Sequence, residues 1–180
     1  MRRAAVRAAV GAALWCAVSC LNIKDVVQPA EVDAGEKFEV AVGLCAEDGS
    51  RVDMQTCAGV LAVSIPDGAE VLKAAYEGAA KGRLDETAAV RPGDLPERPG
   101  YSWVYFVTPK TYDPREYGGK DYVVTLTARA PDAPGYYLFG YAAGTVPAID
   151  SYIDYDSVYW GTAWKGEGQG PVLERGMTVK

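Results

Sequence analysis

The chain reads as an all-β protein, an antiparallel sandwich of seven to nine short strands behind a cleaved export leader. Three observations predict it. Apolar residues recur at every second position in run after run, the spacing of a strand with one buried face. Turn formers separate these runs, supplied by 20 Gly and 11 Pro among 180 residues. The first twenty residues have the order of an export signal and stand outside the fold.

In that leader, Arg2, Arg3 and Arg7 form a basic head and Ala8 to Val18 an apolar run of eleven residues. Such a run is too short to span a bilayer, which takes about 20 apolar residues. Small residues lead from it to Cys20. The expected organisation is a signal peptide over 1–19, a tether over 20–25, and one domain over 26–180 with a long connection at 78–100.

The first strand is expected over Ile23–Gln28, stopped by Pro29. Phe38, Val40, Val42 and Leu44 alternate with Lys37, Glu39, Ala41 and Gly43 in the next. Cys57–Ile65 follows with Leu61, Val63 and Ile65 on one face, ended by Pro66-Asp67-Gly68. Ala69–Tyr76 makes a further strand. The 78–100 stretch, rich in Gly and Pro, reads as a connection, with a short helical turn over Leu84–Val90 begun by Asp85 and Glu86, where carboxylates favour the dipole. Tyr101–Thr108 and Asp121–Ala130 are strands; Asp113 and Glu116, beside Pro114, are turn residues between them. Strands are then expected over Tyr136–Ala142, Val158–Trp164 and Val172–Val179, with a polar loop at 145–157. Short strands spaced by turns fit a sandwich.

Composition excludes several functions. The chain holds 18 basic and 24 acidic residues; without the leader arginines its net charge is about −9, which repels nucleic acid and anionic membrane surfaces. Histidine is absent, so no Ser-His-Asp triad, Cys-His pair or histidine-bearing zinc site can be built. Nothing asks for a cofactor. Carboxylate chemistry stays open, and would need two Asp or Glu facing each other about 5–9 Å apart across a cleft. Cys45 and Cys57, at facing ends of consecutive strands, are expected to form a disulfide in an oxidising compartment, the alternative being two small buried thiols.

Ala17-Val18-Ser19-Cys20 resembles the lipobox of bacterial lipoproteins. The resemblance implies diacylglyceryl transfer to the Cys20 sulfur, cleavage before it and N-acylation, giving a membrane partner through two or three acyl chains. Leu21 in place of Asp then implies the outer membrane of a Gram-negative cell. Simple secretion through Ala17-x-Ser19 is the alternative. A second likeness runs over residues 26–143. Gln28-Pro29-x-x-Val32-x-Ala34-Gly35-Glu36-x-Phe38-x-Val40 is similar to the opening of bacterial immunoglobulin-like domains. Leu61-Ala62-Val63-Ser64-Ile65-Pro66-x-Gly68 and Tyr122 to Tyr141 are similar to later strands of cohesin-like sandwiches. This implies an immunoglobulin-like fold, and fold does not give function.

Aromatic residues are the main functional candidates. Eleven of twelve tyrosines and three of four tryptophans follow residue 100. Tyr101, Trp103 and Tyr105 share one strand face by period two, and Tyr136 and Tyr137 point oppositely. Tyr152, Tyr155, Tyr159, Trp160 and Trp164 crowd Asp150, Asp154 and Asp156. Rings with polar tips suit binding surfaces, and rings among carboxylates suit sugars; equally, such rings pack in sandwiches. The three aspartates could offer oxygen ligands to calcium, although their spacing matches no EF-hand loop, and a solvated acidic loop is the plainer reading. The expectation is an exported, lipid-anchored, non-catalytic module binding a protein or glycan at the surface. A carbohydrate-binding role for the C-terminal rings is the runner-up.

Overall fold

The computed structural model of the protein describes residues 21–47, 56–90, 95–149, 152–163 and 170–180. In chain order its elements are β1 (Leu21–Val27), β2 (Glu31–Val32), β3 (Lys37–Ala46), β4 (Cys57–Pro66), β5 (Glu70–Gly78), β6 (Gly82–Arg83), β7 (Asp85–Glu86), β8 (Tyr101–Val107), α1 (Pro114–Tyr117), β9 (Asp121–Arg129), β10 (Gly135–Ile149), β11 (Tyr152–Ile153), β12 (Tyr159–Trp160) and β13 (Val172–Val179). They form an all-β sandwich. One sheet runs β1-β3-β9-β5-β6 and the other β2-β13-β10-β4-β8-β7, with β11 and β12 added on β10. Among the described strands every ladder is antiparallel except β13 with β2, and an isolated parallel bridge joins Ile23 to Ala163.

Period-two spacing builds the space between the sheets. Phe38, Val40, Val42 and Leu44 of β3 and Val124, Leu126 and Ala128 of β9 point inward. They meet Leu61 and Val63 of β4, Phe139 and Tyr141 of β10, and Met177 of β13. Phe38 and Phe139 join the sheets edge to face, with ring centroids 5.8 Å apart.

The eight-stranded sheet is covered on its outer face as well. Ala58, Val60, Ala62, Tyr105, Val107, Ala142 and Val146 form a second apolar cluster with Val90 and Leu95. Ile153, Tyr155, Val158 and Trp160 close over it. Strand β4 is thus buried on both faces, the reason it reads as a nearly unbroken apolar run instead of an alternation.

Several expectations are corrected. Residues 21–25, expected to lie in the tether over 20–25, belong to β1, with Leu21 opposite Ala46 and Ile23 buried. Asp85 and Glu86 start no helix; they pair as β7 with Val107 and Phe106. Among the described residues the one helix lies elsewhere, at α1, where Asp113 caps Arg115 N at 2.9 Å and Pro114 opens the turn. Strand β10 continues through Thr145, Val146 and Ala148, all buried, where a polar loop was expected; burial on both faces erases the alternation that would have marked it. The 78–100 connection contributes to the cluster between the sheets through Leu84 and to the outer one through Val90 and Leu95. Over 158–163, the described part of the strand expected at Val158–Trp164, stand β12 and a bridge at Ala163.

No disulfide joins Cys45 and Cys57. They lie in different sheets. In β3 the inward positions are even-numbered, so Cys45 faces outward, its thiol near Asp121. In β4 the odd positions face inward, and Cys57 lines a cavity between the sheets.

Candidate binding surface

The sequence-selected rings separate into three groups. Tyr101, Trp103 and Tyr105 do share the outer face of β8, since Trp103 sits opposite Ser64 and Tyr105 opposite Ala62. Tyr105 is buried in the outer cluster, and Trp103, Tyr155 and Trp160 pack against it. Burial pushes the Tyr105 phenol up to about 12, with Glu97 adding to the shift. Among the described residues, the Tyr105 hydroxyl and Trp160 Nε1 are buried without a hydrogen-bond partner. Tyr105 and Trp160 hold the covering segments down and offer little face to a ligand. Tyr152, at 69% exposure, and Tyr159, at 39%, stand out from the same segment.

Trp164, Asp150 and Cys20 lie outside the described residues. Asp154 Oδ1 accepts from Asp156 N at 3.1 Å, and Ser157 N donates to the Asp154 carbonyl at 3.3 Å. These are the bonds of a tight polar turn, and no group of three or more potential metal ligands occurs among the described residues.

The best-formed surface is at the other half of that face, where strands present glycine. Tyr136, 68% exposed, lies across Gly176: a Cβ there would fall on its hydroxyl. The pair is a diagonal one between β10 and β13, a spacing within reach of an aromatic ring. Gly140 similarly admits the Trp103 indole, whose Cη2 is 3.4 Å from where a Gly140 Cβ would stand. Trp103 Nε1 donates to the Pro96 carbonyl at 2.9 Å, fixing the ring. The Arg98 guanidinium lies 5.1 Å over the Tyr101 ring and 2.6 Å from Glu174 Oε1. The Tyr101 hydroxyl accepts from Leu138 N at 3.3 Å.

Rings are therefore presented beside an exposed charge pair, an arrangement able to stack on a flat apolar face and bond to polar groups around it. Sequence reading singled out Tyr101 and Trp103 here and the Tyr136-Tyr137 pair without saying which ring faces solvent, but not Arg98 or Glu174. The adjacent Tyr136-Tyr137 pair was the available signal: Tyr137 turns inward against the core, which sends Tyr136 to solvent.

No protein-family profile matches the chain, and no curated protein matches it. Solved structures with a similar fold include the cohesin module of a family 33 glycoside hydrolase from Clostridium perfringens, at 10% identity over 89% of this chain and 97% of that one, TM-score 0.43. The full-length major pilin SpaD from Corynebacterium diphtheriae matches at 8% identity over 89% of this chain, TM-score 0.48; the match spans 33% of the pilin. AvmM, which catalyses macrocyclization in alchivemycin A biosynthesis, matches at 10% identity over 90% of each chain, TM-score 0.45. At these identities the likeness concerns architecture alone.

Proposed function

We propose that this chain is a non-catalytic envelope or cell-surface module, held by lipid on Cys20 and offering the opposite end of its sandwich to a protein or glycan. The observation that carries this reading is that β1 opens at Leu21, the residue after the lipobox-like cysteine. An anchor there is joined to one end of the sandwich with no linker between. At about 3.3 Å per residue, β1 carries the chain roughly 20 Å from Leu21 to Val27. The patch around Tyr136 belongs to that far end, because Gln28 Nε2 donates to the Gly176 carbonyl at 3.3 Å. An anchored module thus presents these rings away from the bilayer.

Intact mass of membrane-extracted protein tests the anchor. The expected mass lacks residues 1–19 and carries acyl chains on Cys20; unmodified protein recovered from the medium overturns it. A glycan ligand is the second reading, favoured by the exposed Tyr136 ring held across Gly176. It predicts binding on a glycan array that Tyr136→Ala and Arg98→Ala each weaken tenfold or more. No binding, or binding indifferent to both changes, sinks it.

A further inference from the structure

At the end of the sandwich where β1 begins, the two sheets do not close on each other. A cavity of about 80 Å³ is left there, with Leu21, Leu44, Ala46, Cys57, Leu61 and Tyr112 among its walls. Its lining is mainly aliphatic and aromatic, with Cys57, Thr108 and Thr145 among the rest. The polar groups at its edge are bonded to neighbours: the Tyr76 and Tyr112 hydroxyls pair with each other, and the Tyr122 hydroxyl donates to the Tyr117 carbonyl at 3.2 Å. Thr108 Oγ1 donates to the Lys110 carbonyl at 2.8 Å and accepts from Gly59 N at 3.0 Å. A sugar or peptide entering here would leave its own polar groups unmet, at a cost that excludes it. Apolar cavities of this kind stay dry and take up hydrocarbon.

The occupant is indicated by where the chain enters. Leu21 is both the first residue of β1 and part of the cavity wall. The Cα of Cys20 is one trans peptide away, about 3.8 Å from that of Leu21. We propose that the cavity seats part of one acyl chain carried by Cys20, the remaining chains entering the bilayer. This rests on the reading of Cys20 as a lipidated residue. The volume suits a short stretch of one chain and leaves no room for two. Seating it would fix the β1 end of the sandwich against the membrane and set the direction in which the opposite end points.

Cys57 reports on the cavity from within, and Cys45, on the outer face of the other sheet, serves as the internal control. Two proteins are compared in the same detergent: membrane-extracted protein with its mass determined, and the mature chain from residue 20 bearing Cys20→Ala. Each is treated with methyl methanethiosulfonate, and modification is followed by peptide mass. Cys57 is expected to react at least tenfold faster in the Cys20→Ala protein, while Cys45 reacts equally in both. If the extracted mass carries no lipid, the anchor reading falls and the cavity loses its occupant. If lipid is present and Cys57 reacts at the same rate in both proteins, the acyl seat alone is overturned.

Discussion

The Tyr141 hydroxyl, at the centre of the sandwich, donates to Gln28 Oε1 at 2.7 Å, although the two residues are 113 positions apart. Gln28 in turn donates to the Gly176 carbonyl, so one side-chain amide ties the end of β1 to β10 and β13. Tyr141 is only 1% exposed, and Gln28 supplies the acceptor its hydroxyl requires. Tyr141→Phe is expected to lower the unfolding free energy by about 1 kcal/mol and Gln28→Leu by about 2 kcal/mol, because only the second strands a buried hydroxyl. Urea unfolding of the two variants checks the order; the reverse order would contradict this role for Gln28.

Alkaline pH should unfold the protein. Burial raises the phenols of Tyr105 and Tyr122 to about 12 and those of Tyr112 and Tyr141 further. In the unfolded chain these groups release protons near pH 10. Stability is therefore full below pH 10 and falls as pH rises from 10 through 12, since the unfolded state gains by ionising first. Circular dichroism against pH, read beside phenolate absorbance, should show both transitions together. Ionisation of all twelve tyrosines without loss of structure would refute this.

Asn22 clasps the segment after β12. Its Oδ1 accepts from Thr162 N at 2.8 Å and Thr162 Oγ1 at 3.2 Å, while Nδ2 donates to Glu47 at 3.1 Å. The approach is close enough that a Cβ on Gly161 would fall on the Leu21 carbonyl oxygen. Asn22→Ala should cost about 1–3 kcal/mol. Gly161→Ala should raise hydrogen exchange over 159–163 more than over β9, and uniform protection in that variant would argue against the clasp.

The thiols should behave as thiols. With no bridge between Cys45 and Cys57, added reductant is expected to leave the melting temperature unchanged. Burial and the neighbouring Asp121 carboxylate raise the Cys45 thiol, so it should react slowly with thiol reagents at neutral pH. A mass two hydrogens short in native material would contradict the separation of the two residues between sheets.

The segment over the outer face should be needed for stability. Leu95 is buried at 5% exposure in the outer cluster, and Leu95→Ala is expected to cost about 2–4 kcal/mol. A loss below about 0.5 kcal/mol, the range of ordinary surface changes, would show that 95–100 does not belong to the core.

Strands with one wet face were legible from spacing. The run from Phe38 to Leu44 and the run from Val172 to Val179 both emerge as expected, the latter with the same bounds. Strands dry on both faces were less legible: Thr145 to Ala148 carries no alternation, and the sequence offered a loop. The binding candidates divided for the same reason. Tyr105 and Trp160 look like surface rings until a covering segment is placed on them, and nothing local in 78–100 says that Val90 and Leu95 turn inward.

The sequence by itself determined the negative charge, the absence of imidazole chemistry and the all-β architecture, because each depends on composition or on neighbours two positions apart. Tertiary structure alone decided which sheets Cys45 and Cys57 join, which described rings are left to solvent, and that residues 21–25 pair within β1. Those outcomes depend on pairings between distant segments such as β1 with β3 and β10 with β13, whose energies arise only once both partners have lost water to the same interior.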